Sequence, residues 1–174
     1  MPRRFLQLII SLLFFLLLIS VFSACSGGTD SYPFTNTRPS STPVSTPPPS
    51  KVGEQVEVGT TWLITVTNVS PSSGDDSYTP AEGKQLLIIA ISEQNKSSQA
   101  ASVNGAADWS LRDSAGTSFQ VVKTSYGEMP VGGVPAGETS GGELVYEVPV
   151  STHHFTLTFA STSGGGQNIW DISL

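Results

Sequence analysis

Few side chains in this sequence are of the kind that do chemistry. There is one cysteine, Cys25, and the two histidines are the neighbours His153 and His154. Neighbours on a strand point to opposite faces, so in regular β structure these imidazoles cannot jointly chelate one ion. An exposed strand start beside Pro149 is the plainer reading of the pair. Asp75 and Asp76, with Glu82 later in the same loop, could supply oxygen ligands to calcium, which binds through flexible acidic loops. The Asp-x-Asp-x-Asp-Gly spacing is missing, however, and a solvated acidic loop is the preferred reading, with calcium a weak candidate and no metal expected. No Gly-x-Ser-x-Gly elbow, no Gly-x-Gly-x-x-Gly after a strand and no phosphate-loop Lys-[Ser/Thr] occurs. Gly164-Gly165-Gly166 reads as a turn before the last strand, since no helix start follows it to make a phosphate cradle. No cofactor and no catalytic residue is expected.

The stretch from Lys123 to Glu138 is different. It is Gly-rich and unpatterned, and carries Tyr126, Glu128, Met129 and Val131. Loops of that length without secondary structure are often functional, which makes these four residues the candidate interaction loop. The competing reading tucks them over the end of the domain. Trp62, Trp109 and Trp170 fall on the apolar phases of their segments and are expected in the core.

Composition bounds what such residues can serve. Of 174 residues only 13% are charged, while Gly and Pro number 17 and 12. A helical bundle or coiled coil would be richer in Glu, Lys, Arg, Leu and Ala. The net charge is −6, and falls to −8 once Arg3 and Arg4 leave with the segment described next. A surface of that sign repels phosphate backbones, which excludes nucleic acid as an expected partner.

Residues 1–24 follow the order of a secretory signal: Arg3 and Arg4, an apolar run from Phe5 to Phe22, then small residues. Phe22-Ser23-Ala24-Cys25 resembles the lipobox of bacterial lipoproteins, with Phe in place of the usual Leu. The resemblance implies cleavage before Cys25 and acylation of its sulfur, so membrane lipid is the expected partner there. An uncleaved N-terminal anchor is the alternative, and both place the chain outside the cytoplasmic membrane. Two or three acyl chains hold a protein durably where a single chain gives only marginal binding. With its one cysteine so used, the domain has neither a disulfide nor a thiol nucleophile.

Residues 25–50 form the tether. From Ser26 to Ser50, 17 of 25 residues are Ser, Thr or Pro. Such a segment has too little apolar surface to offset its ordering entropy and is expected to be a disordered spacer.

From Lys51 to Leu174 apolar residues alternate with period two in short runs, separated by Gly, Pro, Asn, Asp and Ser. Eight strands are expected, near 52–58, 61–69, 84–92, 108–113, 118–122, 141–148, 154–160 and 169–174. Trp62, Ile64 and Val66 share one face of the second. Leu86 to Ile91 is apolar on both faces, as suits a central strand covered on both sides. Asp113-Ser114-Ala115-Gly116 reads as a hairpin turn, with Gly116 free to take positive φ. The fold class is therefore all-β, an antiparallel immunoglobulin-like sandwich of seven to eight strands, with a closed barrel as the alternative.

Lys51-Val52-Gly53-Glu54, Gly83-Lys84 before Leu86 to Ile91, Trp109 to Gly116, and Pro135-Ala136-Gly137-Glu138 before Gly142 to Pro149 together resemble the domain-of-unknown-function 4352 family. The resemblance spans nearly all of 51–174. It implies an immunoglobulin-like sandwich on a secreted bacterial protein or lipoprotein, and it carries no catalytic residues across. In such a setting the sequon Asn95-Lys96-Ser97 is accidental.

Strictly up-and-down strands would place 93–107, 123–138 and 161–168 at one end of the sandwich, with 70–83, 149–153 and the tether at the other. The functional expectation is a membrane-anchored, non-enzymatic module that binds an extracytoplasmic protein or envelope polymer. A structural stalk without a ligand and an envelope-polymer hydrolase are the alternatives.

Overall fold

The structure is a computed structural model that describes residues 48–163 and 165–174. The signal segment, Cys25 and all but the last residues of the tether lie outside them. In order along the chain the elements are β1 (Gln55–Val58), β2 (Trp62–Ser72), β3 (Lys84–Asn95), β4 (Ala101–Asn104), α1 (Gly105–Asp108), β5 (Trp109–Asp113), β6 (Ser118–Phe119), β7 (Val131–Val134), β8 (Thr139–Pro149), β9 (His154–Ala160) and β10 (Gln167–Ser173). Two antiparallel four-stranded sheets, β1-β2-β3-β8 and β10-β9-β5-β6, face each other, and β4 and β7 form a two-stranded ribbon. The fold is the expected all-β antiparallel sandwich, with ten strands in three sheets among the described residues rather than seven or eight.

Period-two alternation explains how the sheets meet. Trp62, Ile64 and Val66 of β2, Leu87, Ile89 and Ile91 of β3, and Leu144, Tyr146 and Val148 of β8 point inward. They pack against Trp109 and Leu111 of β5, Phe155, Leu157 and Phe159 of β9, and Trp170 and Ile172 of β10. Trp109 is packed within an aromatic group, its ring 4.9 Å from Phe159 and 5.4 Å from Trp170. Tilted aromatic pairs of this kind add about 1 kcal/mol each beyond the area they bury. All three tryptophans are core residues, as expected. A bulge at Thr67 shifts the phase of β2, so that Val69 rather than Asn68 continues the packed row. The Asp113 to Gly116 hairpin forms as read, with Gly116 at φ 84° and its N–H bonded to the Asp113 carbonyl at 3.0 Å.

Three features depart from the sequence expectation. First, β4, α1 and β7 arise inside stretches expected to be loops. A four-residue ribbon is too short to be stable by itself. Here Asn95, fully buried at the end of β3, holds it: its Nδ2 lies 2.7, 2.9 and 3.2 Å from the carbonyl oxygens of Gln99, Val134 and Pro135. Asn95 Oδ1 in turn accepts from Ser97 N and Oγ. Second, the chain enters beside the middle of β10, where Ser50 forms a parallel bridge with Trp170 and donates its N–H to Ile169 O. It does not enter at the end that carries 70–83. Third, residues 123–138 do not stay at one end. Ser125 and Tyr126 bond to the loop after β2, whereas the Pro130 carbonyl accepts from Gly105 N at the opposite end.

Candidate functional site

β3 explains why a site forms where it does. Its inward residues belong to the core between the sheets, but Leu86 and Ile88 are buried on the outer face together with Val145 of β8. An apolar outer face needs a cover. The cover is the segment 121–130, which leaves the sheet edge, crosses that face and returns as a strap.

Each part of the strap is tied. Val121 bridges Tyr146 on the free edge of β8, and Val122 N donates to Val145 O at 2.8 Å. Beyond them Tyr126 packs, with Val122 and Tyr78, on Leu86, Ile88 and Val145. The Tyr126 hydroxyl meets Gly74 O at 2.5 Å and also contacts Ser72 Oγ. The strap returns to the edge where Glu143 N donates to Glu128 O at 3.2 Å. Gly142 is required there: a Cβ at that position would stand 2.1 Å from Glu128 O and 2.9 Å from Pro130 Cδ. Met129 then packs into the main core above Gly105 and Leu144.

Asp75 is the clamp at the far side. Its Oδ1 accepts from Ser77 N and Oγ and from Tyr78 N at 2.6 to 2.7 Å, and its Oδ2 accepts from Ser125 N and Oγ at 2.8 Å each. Partial burial opposes ionisation, but the hydrogen bonds from Ser77 and Ser125 outweigh it and hold this carboxyl well below the usual range. Asp75 Oδ1 is committed to its own loop and Oδ2 to the strap, and among the described residues no three acidic, His or Cys side chains gather as a metal site. Nearby, Glu147 accepts from Lys84 Nζ at 2.7 Å and from the Tyr78 hydroxyl at 2.7 Å. Those two bonds lower its pKa, and the same carboxylate raises that of Tyr78.

Strap, β8 and α1 enclose a cavity of about 630 Å³ that opens to solvent. Ala106, Val121, Val122, Met129 and Val145 give it apolar walls, while Lys123, Thr124, Ser125, Glu128 and Glu143 add polar groups. Of the four loop residues singled out from sequence, Met129 and Glu128 line the cavity. Tyr126 is half-buried and ties down the strap. Val131 stands apart on β7, 66% exposed. His153 and His154 are both exposed at the start of β9, as read.

A second polar centre lies inside the sandwich. Glu93, fully buried, accepts from Trp109 Nε1 at 2.7 Å through Oε1, and its Oε2 has no partner. Burial pushes this carboxyl up to about 7, against the Trp109 hydrogen bond and aided by the charge of Asp108. Asp108 is buried too, and binds Asn104 N through Oδ2 and Thr162 N and Oγ1 through Oδ1. Asp108 thus ties the turn at Asn104 to the loop at Thr162, and both carboxyls are enclosed, out of reach of a polymer substrate. The expected strand stops at residue 92, but period two continued from Leu87, Ile89 and Ile91 leads straight to Glu93 and Asn95.

Together these features define an immunoglobulin-like β-sandwich with a clamped strap over one outer face. The chain belongs to the family described as Domain of unknown function (DUF4352), whose model matches residues 50–169. Among solved structures it is similar to the yjhA protein of Bacillus subtilis, with 19% identity, TM-score 0.56 and coverage of 71% of this chain and 98% of that one. It is also similar to ycdA of Bacillus subtilis, described as a candidate lipoprotein, at 14% identity and TM-score 0.55, over 69% of this chain and 38% of that one. The secreted protein MPT63 of Mycobacterium tuberculosis matches at 18% identity and TM-score 0.50, over 73% and 98% of the two chains. At these identities the likeness establishes the fold. No curated protein matches the chain.

Proposed function

We propose that this chain is a lipoprotein, anchored through acylated Cys25, that displays a non-enzymatic binding module outside the cytoplasmic membrane. The observation that carries the binding part is the strap cavity, an open hollow with apolar walls and a charged rim, held in shape by the Asp75 clamp. A stalk that bound nothing would have no use for such a hollow on its outer face. The carboxyl pair Glu93 and Asp108 is sealed in the fold, which speaks against a hydrolase built on it. The signal-like leader, the lipobox-like residues before Cys25 and the Ser/Thr/Pro-rich tether support display at a membrane surface. The secreted character of MPT63 is in keeping with that address. Among the described residues no helix is long and apolar enough to cross a membrane.

The test is metabolic labelling with a palmitate analogue in a bacterial host, followed by fractionation. The wild-type chain is expected to be labelled and to pellet with membranes, and Cys25→Ala to lose the label. Equal labelling of the two would overturn the anchor.

A further inference from the structure

We infer that the strap cavity is a binding site for an alkylammonium group, with Glu143 as its counter-charge. This deepens the recognition reading above and rests on it. The floor of the cavity is β8, whose outward side chains here are Glu143 and Val145. Glu143 Oε2 is buried and has no hydrogen-bond partner. The strap backbone comes so close over it that a Cβ on Gly127 would stand 2.6 Å from that oxygen. A carboxylate oxygen pressed under the strap and left unpaired is costly; Glu143 lines the cavity, and a turn of its side chain away from Gly127 and into the cavity lets a cation carrying N–H donors remove that cost.

Charge and shape select the same ligand. The cavity is lined by two acids, Glu128 and Glu143, against one base, Lys123. An anion is therefore repelled, and a neutral apolar molecule would leave Oε2 unpaired. Val121, Val122, Met129 and Val145 supply the contacts an aliphatic stem needs. A volume of about 630 Å³ lies within the usual range for small-molecule sites and leaves ample room for a stem of about five carbons. Lys123 ends in the same chemical group as the inferred ligand. The ion pairs among the described residues are Lys84 with Glu147 and Lys96 with Glu57, so Lys123 is bound by neither acid. From the rim it can compete for Glu143, so its removal is expected to tighten binding rather than weaken it. The ammonium group could come from a lysine of a partner protein or from a free amine.

The experiment is an amide NMR titration of the full acylated chain in detergent micelles. The probes are 1-aminopentane, 1-pentanol as its neutral counterpart, and a short blocked peptide containing one lysine. Saturable shifts of the Gly127 and Glu143 amides are expected with both ammonium probes and not with pentanol at equal concentration. Glu143→Gln should weaken 1-aminopentane at least about tenfold while core amides such as those of Leu87 and Leu157 stay in place. Lys123→Met should strengthen it severalfold. Tighter binding of the peptide than of 1-aminopentane would support a protein source, and equal binding a free amine. Binding of pentanol as strong as that of the amine, no saturable shift with any probe, or an unchanged affinity in Glu143→Gln would overturn the inference. Retention of the palmitate label and of the membrane pellet in those cases would show that the anchor reading survives without this site.

Discussion

Glu93 gives the structure a pH dependence whose sign is opposite to the common carboxylate case. Its ordinary value is 4.5, and burial raises it to about 7 in the fold. The folded state thus holds a proton that the unfolded chain has already released across that interval, so stability falls as pH rises from about 4.5 to about 7. The difference of about 2.5 units, at about 1.4 kcal/mol each, amounts to about 3 kcal/mol. Roughly 2 to 3 kcal/mol of it is lost between pH 5 and pH 8. Glu93→Gln keeps an acceptor for Trp109 Nε1 and removes the titration. A buried amide has its own cost, but that cost does not vary with pH. Urea unfolding followed by tryptophan fluorescence at pH 5, 6, 7 and 8 reads the difference, because ionisations elsewhere are common to both proteins. The variant is expected to gain roughly 2 to 3 kcal/mol relative to wild type on going from pH 5 to pH 8, a midpoint shift of about 1 to 2 M in urea. Parallel pH profiles for the two proteins would refute the reasoning.

Four further outcomes follow from named contacts. Asn95→Ala strands the carbonyls of Gln99, Val134 and Pro135, and is expected to cost about 2 to 4 kcal/mol in urea unfolding with loss of protection in β4 and β7. Gly142→Ala sets a methyl against Glu128 O; hydrogen exchange across 121–130 should accelerate while the amides of β9 keep their rates. Asp75→Ala removes the acceptor of Ser125 N and Oγ, and its effect should likewise be confined to the strap and the loop after β2. Acid should loosen the same clamp. Because the Asp75 carboxyl is held below its usual range, its contribution is present above the unfolded value of 3.8 and is lost only as pH falls below that.

The sandwich itself was legible because its strands follow one strong rule. Alternation in Trp62 to Val66, Leu144 to Val148 and Phe155 to Phe159 fixed the inward faces, and the doubly apolar Leu86 to Ile91 correctly required cover on both sides. What provides that cover was not legible. The strap has no period, and its position depends on contacts between residues distant in sequence: Ser125 with Asp75, Tyr126 with Gly74, and Glu128 with Glu143. Polar contacts were hidden in the same way. A solvated acidic loop is the preferred reading of Asp75, and nothing in its spacing shows that its oxygens serve backbone and hydroxyl donors. Glu93 and Asn95 lie past the expected end of their strand at residue 92, and their inward positions were not legible because charged and amide side chains are not expected in a core. The ribbon of β4 and β7 contains two adjacent glycines and only two buried valines, Val103 and Val134, too little pattern to mark a strand.

The account centres on a sandwich held at a membrane surface by the lipid on one cysteine. Intact mass spectrometry of the native protein extracted from membranes tests this most directly. The predicted species lacks residues 1–24, begins at Cys25 and carries a diacylglyceryl group on its sulfur. An unacylated chain that still begins at Met1, recovered from the cytosol, would contradict it.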